Sequence, residues 1–79
     1  MKLSIYSLKK ILFQGEASLL NCQTTGGEIT VLDHHQPLIT VLSKGVMKII
    51  GRDKKDQYFE IKSGFLEVRP GNEARGIVE

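Results

Sequence analysis

The residues able to do chemistry are few, and most lie in one short stretch. Cys22, Glu28, His34 and His35 follow one another there. Adjacent residues of an extended chain point to opposite faces, so His34 and His35 do not readily share one metal ion. A zinc site needs further Cys, His or carboxylate ligands at suitable spacing, and only Cys22 and Glu28 are near. The bland expectation is that one imidazole closes the loop through a hydrogen bond while the other is exposed. Cys22 beside a histidine suggests a thiol nucleophile, but no third group is spaced to orient the pair. A small packing residue near a strand end is the expected role. Gly26-Gly27 lacks the lysine and following helix of a phosphate loop and reads as a turn. Arg52, Lys54 and Lys55 form a basic tip offset by Asp53 and Asp56, which reads as a solvated turn that also discourages edge pairing. These residues point to no catalytic site, metal or cofactor.

The bulk properties narrow the class. The chain has 79 residues, a formal net charge of +2, 41% hydrophobic and 25% charged residues. One domain spanning residues 1–79 with a single small core is expected, with little stability to spare. The charge is too small to indicate nucleic acid. No apolar run has the length of a membrane helix, and Met1–Tyr6 lacks the apolar run of a signal peptide. A single cysteine excludes an intramolecular disulfide and fits a reducing compartment. A soluble protein in the cytosol, or on the cytosolic side of a membrane assembly, is expected.

The elements around these residues read as strands. Apolar and polar residues alternate with period two between glycine-rich turns, and no segment carries a helical stripe. Leu3 and Ile5 alternate with Lys2, Ser4 and Tyr6. Ile11–Phe13 reads as a short strand, Gly15 as a turn, and Glu16–Gln23 as a longer strand with Ala17, Leu19 and Asn21 on one face. Strand character continues through Glu28–Leu32, Leu38–Leu42, Val46–Ile50, Tyr58–Lys62 and Phe65–Arg69. Phe59 and Ile61 are expected to face inward. Pro37 interrupts the chain between two strands because it cannot donate to a ladder. The tail is expected to add one weak edge strand through Ile77 and Val78. The pattern predicts an all-β fold, a two-sheet β-sandwich or flattened barrel of about 8–10 short strands.

Taken in order, the segments match something more specific. Leu12-Phe13-Gln14-Gly15-Glu16-Ala17, Gly27-Glu28-Ile29-Thr30-Val31-Leu32, His35-Gln36-Pro37-Leu38-Ile39-Thr40-Val41-Leu42, Gly45, and Ser63-Gly64-Phe65-Leu66-Glu67-Val68 together resemble the ε subunit of F-type ATP synthase. The resemblance runs from about Leu3 to Asn72 and is carried by the shared order of individually weak motifs. It implies the family's N-terminal β-sandwich and a non-catalytic place in the central rotor stalk. There the domain would pack on the γ subunit and rest on the ring of c subunits, coupling ion translocation to ATP synthesis. It would be peripheral to the membrane through the complex, on the cytoplasmic face in a bacterium.

Carried over by position, Gly27 and Glu28 are expected to face the c ring. His35, Pro37 and Thr40 are expected on the γ side. Asp33 and His34 depart from the Pro and Gly usual before the histidine, so His34 would have to tolerate any positive φ required there. Gln36 replaces a small residue, the Ser63-Gly64 turn keeps one glycine, and the tail lacks the usual apolar alternation. The two helices that usually follow in the family lie outside these residues, so their inhibition of hydrolysis is not expected of residues 1–79. Docking also predicts an exposed apolar patch, with Leu38, Val41, Val46 or Met47 as candidates. The alternative is a free-standing β-sandwich that binds a peptide or protein unrelated to the synthase.

Overall fold

The computed structural model describes residues 1–79, and every regular element is a strand. The strands are β1 (Lys2–Ser7), β2 (Ile11–Thr24), β3 (Gly27–Leu32), β4 (Leu38–Leu42), β5 (Gly45–Gly51), β6 (Asp56–Ile61), β7 (Gly64–Arg69) and β8 (Glu73–Val78). Two sheets result. One runs β4-β7-β8-β1 and ends on the first half of β2; the other runs β3, the second half of β2, β5 and β6. All pairings are antiparallel except β1 with β8.

β2 belongs to both sheets, and its length explains how. Fourteen extended residues span roughly 45 Å, whereas the longest dimension of the molecule is 25 Å. The strand must therefore bend sharply. Gly15, at φ 149°, holds a conformation open essentially to glycine alone. Just beyond it the pairing with β5 slips one residue between Ala17 and Leu19. Such a bulge turns the alternation over. Ala17 faces inward, and after the slip Leu20, Cys22 and Thr24 do so. The expected turn at Gly15 is thus a bend within one strand. Leu19 and Asn21, expected to share the face of Ala17, are half-buried on the other side.

The core lies between the sheets. Leu3, Ile5, Leu42, Leu66, Val68, Ala74 and Val78 meet Leu20, Cys22, Val31, Met47, Ile49 and Ile61, all buried. Phe59 packs against this cluster as a half-buried residue. The tail corrects another expectation. β8 is no edge strand but lies between β7 and β1, with Ala74, Gly76 and Val78 facing inward. Its inner residues are small because the space is shared: a Cβ on Gly76 would stand 2.8 Å from Cδ1 of Ile5.

Candidate functional site

The reactive residues are not assembled. Cys22 is fully buried among apolar side chains, and burial pushes its thiol up to about 11, so it stays protonated at neutral pH. His34 is exposed; Nδ1 of half-buried His35 lies 2.7 Å from the carbonyl of Gln36. His34 is thus the exposed imidazole, but the His35 ring meets only the carbonyl of the next residue, and the loop is closed instead by the His35 backbone N–H, which donates to the Leu32 carbonyl. No three His, Cys, Asp or Glu side chains gather as metal ligands. A surface groove is lined by Lys44, Val46, Glu60, Lys62 and Glu79, and includes neither histidine nor Cys22.

The residues expected to meet partners divide between two ends of the molecule. Gly27 and Glu28 open β3 beside the Thr24–Gly27 turn and are exposed. Thr24 Oγ1 secures that turn, donating to the Gly27 carbonyl at 2.6 Å and accepting from the Gly26 N–H at 3.1 Å. His35 and Pro37 follow β3 in the loop to β4, roughly 17 Å or more further along at the usual strand rise. Thr40 sits midway along β4, half-buried and sharing the inward alternation of Leu38 and Leu42. Its neighbours Ile39 and Val41 point outward and are exposed.

Those two residues belong to an apolar surface. Val41 pairs with Phe65, Phe65 with Ile77, and Ile77 with Tyr6, so one row crosses the outer face of four strands. Phe65 is 61% exposed, Ile39 76% and, beside the row, Leu8 84%. Glu67 and Arg75 pair in the adjacent row, next to Ile39. The expected patch therefore exists, with different members. Val41 lies in it. Val46 is exposed but stands on the other sheet, Leu38 is half-buried against the core, and Met47 is fully buried. Parity decides each case, since Leu38 and Met47 alternate inward. Phe65 and Ile77 were missed because an alternating apolar residue reads as core whichever face it takes.

The loop before β4 is tied down by a cluster that spacing did not reveal. Asp33 accepts from the Met1 ammonium and from Nη2 of Arg52, which reaches its two oxygens at 3.1 and 3.0 Å. Asn72 Nδ2 donates to Asp33 Oδ1 at 3.3 Å, and Asn72 Oδ1 accepts from the His34 N–H at 2.7 Å. The ammonium hydrogen bond, with help from Asn72 and Arg52, holds the Asp33 carboxyl down at about 2. His34 does sit at positive φ, 62°, the conformation that a glycine adopts without strain.

Bent β2, closure by small residues, and exposed apolar side chains on one side define a compact β-sandwich with an apolar outer face. Comparison with known proteins is specific. Residues 1–73 match the family model described as the ATP synthase delta/epsilon chain, β-sandwich domain. The chain is 37% identical over 70 residues to the ATP synthase epsilon chain of Hydrogenovibrio crunogenus, covering 89% of this chain and 48% of that protein. It is 39% identical over 66 residues to the epsilon chain of Psychrobacter cryohalolentis, covering 84% of this chain and 48% of that one. A chain in the Euglena gracilis mitochondrial ATP synthase OSCP/F1/c-ring structure shares the fold, with a TM-score of 0.91 at 19% identity, over 99% of this chain and 49% of that one. Another in the Tetrahymena thermophila ATP synthase central stalk/c-ring structure has a TM-score of 0.84 at 17% identity, over 99% and 62%.

This protein belongs to the family of ATP synthase delta/epsilon chain β-sandwich domains. The curated relatives it matches are epsilon chains, which are not the catalytic subunits, and it spans about half their length.

Proposed function

We propose that this chain is a non-catalytic rotor element of an F-type ATP synthase, docking between the γ subunit and the c ring and helping to couple ion translocation to ATP synthesis. It would sit at the cytoplasmic face of a bacterial membrane, held there by the complex. Family membership supports the assembly. The observation that carries the docking role is the row Val41, Phe65 and Ile77, which leaves apolar side chains in water on an otherwise well-packed small domain.

In this reading His35 and Pro37 face γ, and the apolar row extends that surface through Ile39 and Val41; Thr40, expected beside them, lies on the inward face of the same strand and backs that surface. Gly27 and Glu28, at the other end of β3, face the c ring. A carboxylate there suits polar or basic groups on exposed ring loops. Two contact regions on one rigid sandwich let it transmit torque without changing shape.

Binding of this chain to purified γ subunit and to purified c ring tests the proposal. Phe65→Glu is expected to weaken γ binding by at least about 2 kcal/mol, and Glu28→Lys to weaken attachment to the ring alone. A wild-type chain that binds neither would overturn the rotor role in favour of a free-standing binding module.

A further inference from the structure

Three stretches of chain far apart in sequence converge on the loop between β3 and β4. Arg52 reaches Asp33 from the β5–β6 loop with one nitrogen bridging both carboxylate oxygens. Asn72 reaches it from the β7–β8 turn and, with its other amide atom, receives the His34 N–H. The Met1 ammonium reaches it ahead of β1. Inside the loop, the His35 N–H donates to the Leu32 carbonyl at 3.2 Å. Asn72 and His34 face each other across this contact, both with left-handed backbone, at φ 58° and 62°.

Each link is modest alone, because Asp33 and Arg52 are partly exposed and water competes for them. Their geometry is not modest. A carboxylate gripped from three directions fixes where β3 ends. The Asn72 amide then fixes the next peptide, and so the path on which His35 and Pro37 stand. Such a loop is ordered before any partner arrives, and a preordered loop loses less entropy when it docks.

We propose that Asp33 and Asn72 are positioning residues, holding His34–Pro37 in the conformation that meets the γ subunit. The role rests on the docking reading above. Asn72→Gly separates it from general stability, because glycine accepts the left-handed backbone at residue 72 while both amide links disappear. Asp33→Asn is the second variant, keeping the size of the side chain and losing its charge.

The measurements are amide hydrogen exchange of the whole chain by NMR and its association with purified γ subunit. In Asn72→Gly the His34 amide is expected to lose its protection, while Leu20 and Ile49 in the core keep theirs. Affinity for γ should fall about five- to tenfold, the weight of one or two hydrogen bonds, mainly through slower association. Asp33→Asn should lie between the variant and the wild type in both readouts. Unchanged His34 exchange, a loosened loop with unchanged affinity, or equal loosening of the core amides would each overturn the positioning role alone. A wild-type chain that does not bind γ would overturn the docking reading and this role with it.

Discussion

Asp33 shows how much one side chain can organise when its partners come from distant parts of the chain. Its folded-state carboxyl lies at about 2, below the ordinary 3.8. A lowered carboxyl stabilises the folded form above its unfolded value. That contribution should therefore be complete above about pH 4 and be lost as pH falls towards 2. Acid unfolding of wild type and Asp33→Asn, followed by circular dichroism, should show the variant less sensitive across that window. His34 carries the opposite kind of effect. A left-handed backbone costs a side chain with a Cβ about 1–2 kcal/mol, partly offset by the extra freedom glycine gives the unfolded chain. His34→Gly should therefore raise stability in urea by roughly 0.5–1 kcal/mol. The strain at His34 was anticipated from the glycine usual at its place, but the Asp33 cluster was not legible in local spacing. Arg52 and Asn72 stand 19 and 39 positions from Asp33, so only the fold brings them together.

Among the elements, strict alternation made the outcome readable. β6 turns Phe59 and Ile61 inward as expected, while β5 and β7 place Met47, Ile49, Leu66 and Val68 inward on every second residue, against the expectation that Met47 joins the exposed patch. β2 was misread because a glycine between two apolar runs looks like a turn, and because one bulged residue reverses the faces beyond it. β8 was undervalued because Ala74 and Gly76 carry little apolar signal, although they fill the space available to them. Gly64 shows the same constraint at its limit. A Cβ there would stand 2.4 Å from the backbone carbonyl oxygen of Ile77, and backbone within a sheet has no room to withdraw. Gly64→Ala is expected to cost about 1–3 kcal/mol in chemical denaturation through overpacking between β7 and β8. The exposed face was only half legible for a related reason. Alternation tells which residues share a face, not which face meets water.

The whole molecule is a small sandwich with two proposed contact regions, one at each end of β3, and an exposed apolar row on its outer face. Replacing an exposed aromatic should scarcely affect folding, within about 0.5 kcal/mol for Phe65→Glu. If the row is the centre of an interface, the same change should cost at least about 2 kcal/mol in binding to γ. Thermal unfolding and titration calorimetry on one preparation separate the two effects. The rotor role itself is tested most directly by coupling. Membranes carrying an ATP synthase stripped of its ε subunit would be supplied with this chain, and ATP-driven ion pumping measured against ATP hydrolysed. Restored pumping per ATP with wild type, and none with Phe65→Glu, is the expected result. Pumping that stays unchanged when the wild-type chain is added would contradict the account.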